Sequence, residues 1–175
     1  MPKYYTGIGS RETPEEILEV MRALAKKLGT KGYTLRTGGA PGADMAFLEA
    51  AHDNGPVEVY LPWRSFQGLA DDKDLAKHVV RTEPQAPEAY EIASDYHPSW
   101  RYLKHPAKKL HARNVHQVLG YDVTAPEYSE FVICWTKDGD GGGGTGQAIR
   151  IAKNSYVPVF DLGDPSVGDL FASLV

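Results

Sequence analysis

Three glycine-containing loops constrain this chain more than any other feature: Gly7-Ile8-Gly9-Ser10-Arg11, Gly38-Gly39-Ala40-Pro41-Gly42-Ala43-Asp44, and Gly141-Gly142-Gly143-Gly144-Thr145-Gly146. Each follows a short apolar run of strand length and precedes residues that recur with helical spacing. Residues 4–8 read as the first strand. In residues 14–28, Ile17, Leu18, Met21, Leu24, Ala25 and Leu28 mark one face of a helix. Thr13 is placed to cap it, Pro14 to open it, and Glu15 and Glu16 to complement its positive end. Gly29 and Gly32 close the helix, residues 33–36 read as a strand, 37–42 as a turn, 43–52 as a helix, and 57–61 as a strand ended by Pro62. Strand, helix, strand, helix, strand implies parallel strands joined by right-handed crossovers.

Residues 63–105 show no clean period, and short helices are expected at 69–79 and 86–96. A longer helix over 106–119 would bury Leu110, Val115, Val118 and Leu119. The apolar run 131–136 reads as a central strand covered on both faces. The glycine run 139–146 follows, then a helix over 147–153, a strand over 157–162 and a helix over 167–174. The whole chain, 175 residues of which 42% are hydrophobic and 24% charged, with no internal repeat, is expected to be one α/β domain. Its architecture is a Rossmann-like open parallel sheet with helices on both faces.

The one cysteine, Cys134, lies in the apolar run and is expected to be a buried hydrophobe. It excludes an internal disulfide and fits a reducing compartment. The first residues lack the pattern of a secretory signal, and no segment reaches the roughly 18 apolar residues of a membrane span. A cytoplasmic location with no membrane partner is therefore expected. A net charge of −4 and a pI near 5.8 argue against strong nonspecific DNA binding.

In a parallel sheet all three loops lie at the carboxyl ends of their strands, the edge at which open α/β sheets bind ligands, so they are expected to converge. Glycine permits positive φ and close backbone approach, and a helix N-terminus offers unpaired N–H groups and partial positive charge. The expected guest is an anion. The loop from Gly141 to Thr145 is the strongest cradle, its alternative being a flexible surface hairpin. The dinucleotide fingerprint fails at Glu12, where its third glycine would stand, and no Walker lysine follows any glycine run. Both absences disfavour a nicotinamide dehydrogenase and a P-loop ATPase.

Across these loops the chain resembles the SLOG superfamily, which includes the DNA-processing protein DprA (Smf) and the LOG phosphoribohydrolases. It is most similar to short DprA-like proteins of the phage type. The resemblance implies a nucleotide-like ligand, with no resident cofactor, and a homodimer would be in keeping with it. LOG enzymes carry Pro-Gly-Gly-x-Gly-Thr-x-x-Glu and an upstream Met-x-x-Arg-Lys. Here Gly141, Gly142, Gly144 and Thr145 match the cradle, and Leu110-His111-Ala112-Arg113-Asn114 resembles the arginine segment, but Ala148 stands in place of the catalytic glutamate. Cleaving an N-glycosidic bond needs a carboxylate's help, so binding without turnover is expected and no catalytic residue is assigned. A LOG-type hydrolysis of nucleoside monophosphates, with Asp44, Glu49 or Asp140 substituting, is the rival reading.

The candidate ligand-binding set is Gly9, Ser10, Arg11, Gly38, Gly39, Gly42, Asp44, Arg113, Gly142, Gly143, Gly144 and Thr145. Asp44 could equally cap its helix, Ser10 could be a turn residue, and Arg11 and Arg113 could be solvated charges. A second candidate surface is the acid-free stretch 97–116, in which Arg101, Lys104, Lys108 and Lys109 interleave with Trp100 and Tyr102. Those are the ingredients of a single-stranded DNA mediator, and also of a solvated helix face. His97, His105, His111 and His116 lack the spacing and companions of a metal site, and none is expected.

Overall fold

β1 (Lys3–Gly7), α1 (Glu15–Thr30), β2 (Tyr33–Thr37), α2 (Ala43–Ala51) and β3 (Val57–Tyr60) alternate as expected in a computed structural model that describes residues 1–84 and 87–175. They are followed by β4 (Val79–Arg81), α3 (Glu88–Asp95), α4 (His105–Leu119), β5 (Val132–Cys134), α5 (Gly143–Asn154), β6 (Val159–Asp161) and α6 (Pro165–Ser173). The six strands form one all-parallel sheet in the order β4-β3-β2-β1-β5-β6. This is the α/β, Rossmann-like open sheet that the alternation implies.

The order steps outward from β1 to β4 in one direction, and from β5 to β6 in the other. Right-handed crossovers then place the two sets of helices on opposite faces. On one face Tyr5, Leu35, Val59 and Ile133 pack against Met21 and Leu24 of α1 and Phe47 of α2, with Phe171 of α6 alongside. On the other, Val132 and Cys134 pack against Ala93 of α3, Val118 of α4 and Ile151 of α5. Neighbouring residues of β5 thus point to opposite cores, the two-residue period of a strand buried on both sides. Burial also drives the Cys134 thiol well above its usual range. No helix among the described residues is long and apolar enough to cross a membrane.

Several expectations are corrected. Residues 69–79 do not form a helix. Two short 3-10 turns, Phe66–Asp71 and Lys73–Leu75, lead instead into β4. Gln67 and Gly68, at φ 54 and 68, break the helical path, and three residues paired only to β3 at the sheet edge leave no periodic signature. The helix expected over 86–96 is α3, and Ala86 lies outside the described residues. α1 begins after Pro14, which occupies the cap position, and Thr13 does not cap it: its hydroxyl donates to the Ser10 carbonyl at 2.6 Å. α5 begins at Gly143, four residues earlier than the apolar period suggests, so the glycine run is partly the first turn of the helix itself.

Candidate functional site

Parallel sheets bind ligands where the strand order reverses, which here is the crevice between β1 and β5. A cavity of about 520 Å³ opens at that place. Its walls are residues 8–12 after β1, Trp135, Thr136, Lys137, Asp140 and Gly142 after β5, and Gly143, Gly144, Thr145 and Ala148 of α5. Leu110, His111, Arg113, Asn114 and Gln117 of α4 close it, with Ala40 and Asp44 behind. The first and third glycine loops therefore meet, and of the candidate set Gly9, Ser10, Arg11, Asp44, Arg113, Gly142, Gly143, Gly144 and Thr145 share one cavity.

Gly38, Gly39 and Gly42 do not line it. They let the second loop pack tightly behind the first. A Cβ on Gly42, whose φ is 91°, would sit 2.8 Å from the Ser10 carbonyl oxygen and the Arg11 Cα. One on Gly38 would strike the Arg113 and Gln117 side chains, and one on Gly39 would strike Leu69.

Asp44 joins the two loops. Its side chain accepts from the Gly9 amide at 3.3 Å and the Ala40 amide at 3.2 Å, and the Gly38 backbone also donates to it. It is 3% exposed and does not cap its own helix, whose cap residue Gly42 gives no side-chain bond. Burial pushes its carboxyl up to about 6, against the pull of Arg113 and the loop amides. The Ser10 amide donates to the Trp135 carbonyl and the Glu12 amide to the Ser10 hydroxyl oxygen. The backbone donors of Gly9, Ser10 and Glu12 are thus occupied within the protein.

Arg113 is buried rather than solvated, at 5% exposed. Its guanidinium donates to the Gly38 and Tyr60 carbonyls and to Asn114 Oδ1. Burial lowers its pKa to about 10, with the neighbouring Asp44 charge opposing the shift. It anchors α4 to the ends of β2 and β3 while lining the cavity.

The third loop is held from β6. Asp161 accepts from the Thr136 amide at 2.9 Å and from the Thr136 hydroxyl, and that hydroxyl oxygen accepts the Gly141 amide at 2.9 Å. Asp140 accepts the Gly142 amide at 2.7 Å. Beyond it the chain turns at Gly143, φ 67°, into α5, which has no side-chain cap and no acidic residue in its first turn. The amides of Gly143, Gly144 and Thr145 occupy the positions a helix leaves unpaired, and these residues line the cavity together with the exposed Arg11 and Lys137. Ala148 presents only a methyl group there. Glu49 is remote from it, with its carboxylate 3.8 Å from Arg22.

Sequence reasoning overlooked Glu12, Trp135, Lys137 and Gln147. Lys137 precedes Gly141 by four residues, so its distance from the tetraglycine was a usable signal. Gln147 carried none: it is fully buried, accepting from His111 Nδ1 at 2.9 Å and donating to the Ala93 carbonyl at 2.9 Å, so it ties α3, α4 and α5 together. Burial lowers the His111 pKa. His97 and His111 stack edge to face at 4.5 Å, yet no group of three or more His, Cys, Asp or Glu among the described residues could hold a metal ion. The basic stretch leads into the start of α4, whose later part, from Leu110 to Gln117, lines the cavity, and none of Arg101, Lys104, Lys108 and Lys109 is itself in that lining. Arg101 and Lys104 are exposed and Lys108 and Lys109 half-buried. Arg101 lies over the Tyr102 ring at 4.7 Å and Lys108 over the Trp100 ring at 5.6 Å.

No protein-family model matches this sequence, and no curated protein matches it. Solved structures do. DNA processing protein A from Helicobacter pylori, described with its single-stranded DNA binding mode, aligns over 91% of this chain with a TM-score of 0.57 at 20% identity. DprA from Streptococcus pneumoniae aligns over 92% with a TM-score of 0.57 at 19% identity. The chain spans 65% and 50% of those two proteins. The Moco carrier protein of Chlamydomonas reinhardtii aligns over 99% of this chain and 84% of its own, with a TM-score of 0.57 at 16% identity. The likeness is one of fold: the Rossmann-like arrangement found in the DprA and Moco carrier structures.

Proposed function

We propose that this protein binds a nucleotide or nucleotide-derived ligand, with its phosphate on the first turn of α5. The observation that carries this reading is the uncapped start of α5, whose first-turn residues Gly143, Gly144 and Thr145 line the cavity at the strand-order reversal with Arg11 and Lys137. The Thr145 hydroxyl adds a further donor. Ile8, Leu110 and Trp135 supply apolar surface for a base. The fold neighbours fit such a guest, since one set is described with single-stranded DNA and the other as a carrier of the molybdenum cofactor. With Ala148 at the position where the LOG pattern carries its glutamate, the reading is binding without hydrolysis.

Thr145→Glu places a carboxylate at the cradle. It is expected to abolish the thermal stabilisation that AMP confers, while the unliganded melting temperature stays within a few degrees, because Thr145 lies in an open first turn where an acidic residue suits the helix. An unchanged AMP-induced shift would remove the α5 cradle from the reading.

A second reading, single-stranded DNA binding, is favoured by the basic residues Arg101, Lys104, Lys108 and Lys109, set among the Trp100 and Tyr102 rings on the stretch that leads into the cavity-lining part of α4. On this reading the phosphate backbone runs along the start of α4 and one nucleotide enters the cavity. Oligonucleotide affinity should then fall steeply with salt, and replacing Lys108 and Lys109 by glutamine should weaken it by about tenfold. No retardation of an oligonucleotide at low salt would exclude it.

A further inference from the structure

Among the polar side chains that line the cavity, His111 is held so that only one of its two ring nitrogens can meet a ligand. Gln147, fully buried, donates through Nε2 to the Ala93 carbonyl at 2.9 Å. A carbonyl only accepts, so the Gln147 amide has one orientation, and its Oε1 faces His111 Nδ1 at 2.9 Å. Asn114 Nδ2 donates to the same oxygen at 3.3 Å and to the Gly144 carbonyl at 3.4 Å, which ties the group to the first turn of α5. An oxygen acceptor opposite Nδ1 requires the proton there and leaves Nε2 as a bare lone pair. Nε2 makes no hydrogen bond among the described residues, yet it is not sealed from solvent. The ring itself is half-buried and lines the cavity.

Burial holds this imidazole below its usual range, and the charges of His97, Arg113 and Arg150 act in the same direction, against the bond to Gln147. The ring is therefore a neutral acceptor in a cavity whose α5 end is made of donors. Resting on the phosphate reading above, we propose that His111 is the specificity residue of this cavity: Gln147 fixes its proton on Nδ1, and Nε2 accepts a hydrogen bond from a neutral O–H or N–H of the ligand beyond its phosphate. Gln147 stands one turn after Gly143, about 5.4 Å along α5. The donor thus belongs to a part of the ligand near its phosphate, a sugar hydroxyl or the amine of a base. A ligand with only acceptors at that point meets a lone pair and is disfavoured.

Ring-nitrogen NMR of the full chain at about pH 8 is expected to find His111 neutral with its proton on Nδ1, the minor tautomer of histidine in water. Calorimetric titration then compares AMP with dideoxyadenosine monophosphate, which lacks both sugar hydroxyls, and with purine riboside monophosphate, which lacks the base amine. The analogue missing the donor that Nε2 reads is expected to bind about fivefold more weakly than AMP, and in His111→Phe the two are expected to bind alike. Which analogue weakens names the donor as hydroxyl or amine. If His111→Phe does not fold, the Nε2 signal of the native chain decides: it is expected to shift with AMP and to stay unmoved with the weakened analogue. A proton on Nε2, two analogues that bind as AMP does, a loss that persists in His111→Phe, or an Nε2 signal indifferent to AMP overturns the role of His111 and leaves the phosphate reading standing. Adenosine binding as well as AMP, or no binding by AMP, overturns both.

Discussion

Replacing Arg113 by methionine is expected to destabilise the fold by about 3–5 kcal/mol at pH 8, and by distinctly less at pH 5. Methionine keeps much of the volume but removes the charge that faces Asp44 and the donors to the Gly38 and Tyr60 carbonyls. The carbonyl loss is independent of pH and accounts for about 1–3 kcal/mol. The remainder depends on Asp44. In the intact protein its folded pKa, about 6, lies above the ordinary carboxylate value, so ionising it already opposes folding as pH rises from about 4 to 6. Without Arg113 the folded pKa rises further, and the penalty keeps growing above pH 6. At pH 5 Asp44 is largely protonated in both proteins and its contribution nearly cancels. Denaturant unfolding at the two pH values measures this directly. An equal loss at both would show that the two charges are not coupled.

That coupling was the least legible part of the site. The strand, loop and helix alternation of the first 61 residues reads directly off hydrophobic period and glycine placement, because each unit there carries both a clear strand and a clear amphipathic helix. The sheet order and the two helical faces then follow from the handedness of crossovers. β4 was invisible for the opposite reason. It is three residues at the sheet edge, preceded by a path that turns at Gln67 and Gly68, so nothing periodic announces it.

The cavity was legible in outline, since glycine loops at strand ends must crowd one edge of the sheet. Which loop would offer its amides was not legible. Gly9 and Gly42 resemble anion-loop glycines in sequence, yet their lack of a side chain lets two backbones touch: a Cβ on Gly9 would lie 2.7 Å from that of Ala43. Asp44 then draws the nearby amides to itself, a tertiary event that joins residues 35 positions apart. Local sequence records the need for small residues but not whether the neighbour is a ligand or the protein.

The same distinction sets the second large effect, at Gly163. Its substitution by alanine is expected to cost about 3 kcal/mol or more and to remove ligand binding in the protein that remains folded. An alanine Cβ would lie 1.9 Å from the Thr136 carbonyl oxygen and 2.8 Å from the Gly139 nitrogen, and both neighbours are backbone with no flexible end to yield. Relief requires β6 and the chain leaving β5 to move apart. That movement breaks the bonds by which Asp161 holds Thr136 and Thr136 holds Gly141, and so lets the cradle drift. Gly144→Ala is the contrasting case. A Cβ there meets nothing within 4 Å, and its φ lies outside the left-handed region, so alanine should be neutral or stabilise α5 by up to about 1 kcal/mol. Urea unfolding of both variants separates them. A Gly163→Ala protein as stable as the parent would mean that the Asp161, Thr136 and Gly141 chain is not what fixes the loop.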